Sequence, residues 1–288
     1  MQNRVDGLSH RQQQLLRAWL PTAEVVADHS WGLVGTTVLE LRHEAQRYIV
    51  KAGDENDRHL AREIQAHHRW LRPWTSIGRA PELVHADHDA KLIVTRYVPG
   101  RLVQGTDAEH EPHTYRQAGE LLACLHEQAS IDDTGFEARE REKTLRWLDK
   151  PHRIDPDVVL RLRRMVESWP TPPSRLVPTH GDWQPRNWLI HEETVSALDF
   201  GHFDLRPAFS DLARLAEKQF RADAALEAAF FDGYGADPRE QAAWQRNRIR
   251  AAVGTAVWAY HVGDETFERQ GHRMLAEALG GEPHRYRR

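Results

Sequence analysis

The order in which the chain's periodicities appear constrains its fold more than any single residue. Strand-like runs rich in Val, Ile, Thr and Tyr are confined to the first hundred residues, around 24–30, 34–43, 46–52, 82–86 and 91–98. A capping box, Ser9 with Gln12, opens a helix ahead of them that Pro21 stops, and a second helical pattern over 57–72 ends at Pro73. Beyond Val98-Pro99-Gly100, helical spacing dominates over 114–127, 138–148, 155–168, 208–219, 221–232, about 238–261 and 264–279, and only 186–190 and 194–198 read as strands. Strands first and helices later exclude an alternating βαβ chain and predict a segregated α+β protein of two lobes. The expected division is a small antiparallel β lobe with one main helix over 1–98 and a larger, mostly helical lobe over 99–288.

Composition narrows the class of partner. With 43 acidic and 39 basic residues the net charge is −4, which argues against a nucleic-acid protein driven by phosphate neutralisation. No run approaches the roughly 18 apolar residues that a membrane helix needs. The polar opening MQNRVDGLSHRQQQ lacks a secretory core, and a lone cysteine, Cys124, cannot form an internal disulfide, so a cytoplasmic protein is expected; a monomer or weak dimer is the expected state, which the sequence itself does not set. Eighteen histidines invite a metallohydrolase reading, but the pairs His67-His68, His85 with His88, and His110 with His113 match no zinc spacing and read as turn or exposed helix residues.

Chemistry is concentrated in residues 179–201, THGDWQPRNWLIHEETVSALDFG. His180-Gly181-Asp182 is followed by Asn187, a strand, a turn, a second strand and Asp199-Phe200-Gly201, an order that puts carboxylates at the two open ends of a hairpin. Either tripeptide alone also describes an ordinary turn. Together they supply what phosphoryl transfer requires, a carboxylate beside the acceptor hydroxyl and an amide oxygen with a second carboxylate to hold Mg²⁺ over nucleotide phosphates.

This segment resembles the aminoglycoside phosphotransferase and choline kinase family, whose loop runs H-G-D-x-x-x-x-N, and the related protein-kinase loop with its D-F-G. The resemblance implies a bilobal protein-kinase-like fold. It implies that Asp182 orients and deprotonates the acceptor, that His180 braces the loop, and that Asn187 and Asp199 bind Mg²⁺. It also implies ATP or GTP as phosphoryl donor. In the first lobe, Lys51, one of only five lysines, ends the run Tyr48-Ile49-Val50-Lys51 and resembles the family's phosphate-contacting lysine, with Glu63 of the next helix as its partner. Gly32 and Gly35 fall where a turn would bring backbone N–H groups to phosphate oxygens. Thr95 C=O and Tyr97 N–H correspond to the adenine clamp of the hinge, and His126 ends a helix resembling the family's L-A-x-L-H, as a structural residue.

Two departures stand out. Where the family commonly has a histidine two places after the aspartate, this chain has Gln184, and the family's G-D-P is replaced by Arg206-Pro207-Ala208, although Asp211-Leu212 survives. The acceptor implied is a small hydroxyl-bearing molecule, foremost a cationic antibiotic inactivated by O-phosphorylation. A metabolite kinase acting on an amino alcohol, sugar or glycated amine is the alternative, and a nucleotide-binding pseudokinase the third reading. Residues from 101 onward carry 31 acidic and 26 basic side chains against 12 and 13 before, a balance that favours a cation. Asp204, Asp264, Glu265 and Trp258 are the candidate acceptor contacts.

Overall fold

The fold described here is that of a computed structural model, which describes residues 7–30 and 35–280. In chain order it runs α1 (His10–Trp19), β1 (Glu24–Asp28), β2 (Thr36–His43), β3 (Gln46–Gly53), α2 (His59–Arg69), α3 (Arg72–Thr75), β4 (Leu83–Asp87), β5 (Leu92–Arg96), β6 (Arg101–Leu102) and α4 (Pro112–His126). There follow β7 (Ile131–Asp133), α5 (Phe136–Leu148), α6 (Pro156–Glu167), β8 (Ser174–Thr179), β9 (Trp188–His191), β10 (Thr194–Ala197) and β11 (Asp204–Arg206). The chain closes with α7 (Ala213–Glu217), α8 (Gln219–Ala222), α9 (Ala224–Tyr234), α10 (Gln241–Val262) and α11 (Glu265–Ala278). No helix among the described residues is long and apolar enough to cross a membrane.

This is the expected mixed architecture, an antiparallel sheet early and helices late, with local corrections. The helix expected to run to Pro73 ends at Arg69, and Pro73 instead opens the short α3, where its missing N–H costs nothing. The short strands β6, β7, β8 and β11 were not expected; at two, three, six and three residues, most are too brief to show a period.

Contacts divide the chain into two compact units, Met1–Gln128 with Pro178–Asp204 and Asp223–Gly235, and Ala129–Val177 with Leu205–Ala222 and Ala236–Arg288. The first is built on a five-stranded antiparallel sheet in the order β1-β2-β3-β5-β4. Its two-residue period sorts side chains by face: Leu39, Leu41, Tyr48, Val50, Ala52, Leu92 and Val94 pack under Leu16 of α1 and Leu20 just past its end, and the Ser9–Gln12 capping box of α1 forms as expected. Ile93 points the other way and packs with Leu60 and Ile64 of α2. Lys51 is paired in register with Ile93, so the same alternation delivers its ammonium to the α2 face.

In the same unit, α4 and α9 meet backbone to backbone. A Cβ on Gly119 would run into the Phe230 carbonyl oxygen, and one on Gly233 into that of Arg116. His126, in the last turn of α4, hydrogen-bonds the Tyr234 hydroxyl through Nδ1 at 2.8 Å, the structural role expected of it. The second unit has its own core, Leu148, Leu162, Val166 and Trp169 packed against Ile249, Val253 and Val257 of α10 and Met274 and Leu275 of α11.

The α4–α9 contact leaves no room for a methyl group. Gly233→Ala is expected to destabilise the protein by about 1–3 kcal/mol through overpacking. Urea denaturation of the two proteins measures it, and an unchanged midpoint would show that the helices separate at no cost.

Candidate active site

Lys51 is the electrostatic centre of the first unit. Its Nζ donates to Glu63 Oε1 and Oε2 at 2.8 and 3.1 Å and to Asp199 Oδ1 at 3.1 Å. The Asp57 carboxylate fixes the start of α2 by accepting from the His59 and Leu60 backbone N–H groups, and Glu63 projects one turn later toward the sheet. Burial pulls the lysine pKa down, but Asp199 and Glu63 overcome it and hold the ammonium well above its ordinary range. Lys51 in turn drives Asp199 far below the usual carboxylate range, against the opposing effect of burial. Asp199 sits at φ +63°, a left-handed conformation costly for a residue with a Cβ and common where strain serves a site.

The loop carrying Asp182 is rigid for identifiable reasons. Gly181 takes φ +84°, and His180 Nε2 donates to Leu198 C=O at 2.9 Å while its Nδ1 accepts the Asp182 backbone N–H at 3.3 Å. His180 therefore ties the aspartate to the strand that leads to Asp199. Below it lies a run of buried rings, Phe200, Trp74, Trp183, Trp188 and Tyr115, with successive centroids 5.3 to 5.9 Å apart. The Asp182 carboxylate accepts from Gln184 Nε2 at 2.6 Å on Oδ1, and from Asn187 Nδ2 at 2.9 Å and Arg186 Nη2 at 2.6 Å on Oδ2.

Asn187 turns its amide nitrogen to Asp182 and leaves its oxygen as a ligand atom; Leu198 N–H bonds the Asn187 carbonyl at 2.9 Å, joining it to the backbone just before Asp199. Among the described residues no group of three or more His, Cys, Asp and Glu could hold a metal. Two hard oxygens, from Asn187 and Asp199, are nevertheless the donor set that suits Mg²⁺, which binds proteins through one or two side chains and fills its shell with phosphate oxygens and water.

A model of the phosphotransferase enzyme family matches residues 32–246. The chain belongs to that family. Solved structures share its fold at low identity. Choline kinase LicA from Streptococcus pneumoniae superposes with a TM-score of 0.67 at 14% identity, covering 94% of this chain and 99% of that one. A thermostable mutant of aminoglycoside phosphotransferase APH(4)-Ia, in ternary complex with ADP and hygromycin B, gives 0.69 at 11%, covering 94% and 98%. Macrolide 2'-phosphotransferase MphH from Brachybacterium faecium gives 0.57 at 15%, covering 97% and 100%. No curated protein matches the chain significantly. The family and the protein-kinase-like fold of these phosphotransferases are those expected from H-G-D and D-F-G.

Other expected site residues fare differently. Gly32 lies outside the described residues. A Cβ on Gly35 would meet the Asp54 carboxylate, which would have to shift to admit it. Thr95 is buried in β5 between Ile49 and Leu83, and the Tyr97 N–H expected to clamp adenine is spent on Arg47 C=O at 3.0 Å, so β3 uses that donor to extend the sheet by one pair. Asp204 is exposed, and its carbonyl accepts the Thr179 hydroxyl at 2.7 Å. In the second unit Asp264 caps α11 by accepting Phe267 N–H at 2.9 Å, Glu265 faces Arg269 at 3.9 Å, and Trp258 is 46% exposed with an edge contact to Phe267.

Three features escaped the motif reading. Arg186 meets Asp182, and it is the only arginine or lysine in residues 179–201, a signal that was there to be read. His202 follows Gly201, packs against His59 and is held neutral by burial down to a pKa of about 4. His67, expected on an exposed face, instead buries both ring nitrogens without a protein partner, edge-on to Phe200 at 5.5 Å.

Burial first, then the Lys51 charge, depresses the His67 pKa to about 3. Below the ordinary histidine pKa of about 6.5 the unfolded chain binds a proton that the folded one refuses, so stability contributed by neutral His67 is lost as pH falls, by about 1.4 kcal/mol per unit. His67→Phe removes this dependence and the unpartnered nitrogens, and should be more stable at pH 5 than the wild type. Denaturation curves at pH 7 and pH 5 measure both effects; equal pH slopes would refute the buried-neutral assignment.

Proposed function

We propose that this phosphotransferase moves the γ-phosphoryl group of ATP or GTP to a hydroxyl of a small cationic molecule, with Asp182 as the residue that takes the hydroxyl proton. The observation that carries the reading is the buried Asp182 carboxylate hydrogen-bonded to Asn187, on a loop tied to the Lys51–Glu63–Asp199 cluster. Lys51 and Asp199 act on the nucleotide phosphates, Asn187 and Asp199 would hold Mg²⁺, and His180 braces the loop. Bound there, Mg²⁺ supplies charge neutralisation of the phosphate oxygens. The hinge donor to adenine lies beyond Tyr97, at Val98 or Gly100, because Pro99 has no N–H. In this assignment residues 1–98 form the nucleotide lobe and 99–288 the catalytic and acceptor lobe, and the protein works in the cytoplasm, where the nucleotide is.

Solved structures of the same fold support the substrate class: one holds ADP with hygromycin B, one ADP with spectinomycin, and one gentamicin. An antibiotic acceptor, with resistance as the role, is therefore the leading reading. The equally good superposition on choline kinase favours an amino alcohol as the second. Both acceptors are cations, and intact Lys51, Asp182, Asn187 and Asp199 weigh against a pseudokinase.

Asp182→Asn should lower kcat by about 10²–10⁴, the usual contribution of a general base, with little change in nucleotide Kd. A nucleotide-consumption assay against aminoglycosides, basic peptide antibiotics and amino alcohols makes the measurement. Turnover within about threefold of wild type would move the reacting centre elsewhere.

A cation held by several carboxylates should show an acceptor KM that rises with ionic strength, since exposed charges are screened over about 8 Å at physiological salt. A neutral acceptor with salt-insensitive KM would remove the cationic reading while leaving the kinase one.

A further inference from the structure

Transfer of a phosphoryl group moves negative charge toward the loop that carries Asp182, itself an anion with 4% of its side chain exposed. In the proposed reaction the acceptor oxygen forms a bond to the γ-phosphorus and its proton passes to the Asp182 carboxylate. The bond from the γ-phosphorus to the β–γ bridging oxygen breaks, and the electron pair leaves with the nucleoside diphosphate. Three equatorial oxygens carry the charge through this step, and fixed N–H donors there stabilise it. Lys51 already neutralises two carboxylates, Glu63 and Asp199, with three of their oxygens within 3.1 Å of its Nζ, so a second cation near the transferring group has work to do. Gln184, on the other oxygen of Asp182, is neutral.

Arg186 meets the requirement. It lies in the short turn Pro185–Asn187, one residue before Asn187, and this turn brings its guanidinium back over Asp182, with Nε and Nη2 at 3.2 and 2.6 Å from Oδ2. The aspartate side chain is buried, whereas Arg186 keeps 41% of its own surface exposed. One edge of the fork thus holds the carboxylate, a geometry that a lysine's point charge would not reproduce.

We propose that Arg186 is a further catalytic residue, whose guanidinium donates to the oxygens of the phosphoryl group in transit while Asp182 takes the acceptor proton. The assignment rests on the phosphotransferase reading above. This loop has the neutral Gln184 two places after the aspartate, and its one arginine or lysine stands four places after it.

The test uses the full-length protein with Mg²⁺, measuring basal ATP and GTP hydrolysis, transfer to any acceptor found active, and affinity for ADP alone and for ADP with aluminium fluoride, a mimic of the transferring group. Arg186→Ala should lower kcat by about 10²–10³, the cost of losing one transition-state donor, and weaken ADP–aluminium fluoride by a similar factor while ADP alone binds within about threefold of wild type. Arg186→Lys should fall between, and it carries the same measurements if the alanine variant does not fold. Asp182→Asn supplies the background that separates contact from positioning: Arg186→Ala should still weaken ADP–aluminium fluoride there. Loss confined to the protein with Asp182 intact would make Arg186 a positioning residue only and overturn the proposal. So would an Arg186→Ala protein with unchanged kcat and unchanged ADP–aluminium fluoride affinity, leaving the phosphotransferase reading in place. A wild type that binds nucleotide but neither hydrolyses it nor phosphorylates any acceptor overturns both.

Discussion

One buried ammonium, that of Lys51, meets three carboxylate oxygens from two distant parts of the chain, and the rest of the first unit is arranged so that it can. Removing a charge from water is expensive, and a partly buried lysine is stable only when its hydrogen bonds are completed by anions. The cost is met by placing Glu63 on the helix that follows β3 and by swinging Asp199 into a left-handed conformation. The triad therefore couples the sheet, α2 and the D-F-G segment into one electrostatic unit. Taking away one partner would leave an uncompensated charge in its place.

Aromatic packing serves the same end by different means. The Asp182 loop has little regular secondary structure, so its precision derives from what lies beneath it. Trp183 within the Asp182–Asn187 segment and Trp188 directly after it are fully buried, Trp74 anchors them to Leu121 through its indole N–H at 3.0 Å, and Phe200 closes the stack. Large rigid rings bury much area for little conformational entropy, which suits a loop that must hold side chains within fractions of an ångström. The turn between β9 and β10 adds a local constraint, since Glu192 and Glu193 both take positive φ, 44° and 62°, as the tightest hairpins require.

The parts of the protein that were legible in the sequence share one property: they are encoded over short stretches. Ser9 with Gln12, the face alternation of Tyr48 to Ala52, and the order of His180, Asp182, Asn187 and Asp199 are all relations between near neighbours. Lys51 and Glu63, twelve residues apart, stood out because lysine is rare here and because the fold places a helix after that strand. His67 was missed because one residue on a polar-looking helix carries no sign of what covers it, and Tyr97 because strand register decides whether its N–H is spent.

What the sequence by itself determined is therefore the order of elements, the residue types at the site and the family those types identify, since spacing along the chain carries that information. Tertiary structure alone decided which donors remain to do chemistry. The Lys51–Asp199 contact spans 148 residues, the Tyr97 N–H is claimed by a strand fifty residues earlier, and Arg186 acquires its place because a short turn folds it onto a buried carboxylate. Hydrogen bonds are short, directional and exclusive, so whether a group is committed to the fold or left to a ligand depends on distances that no one-dimensional pattern contains.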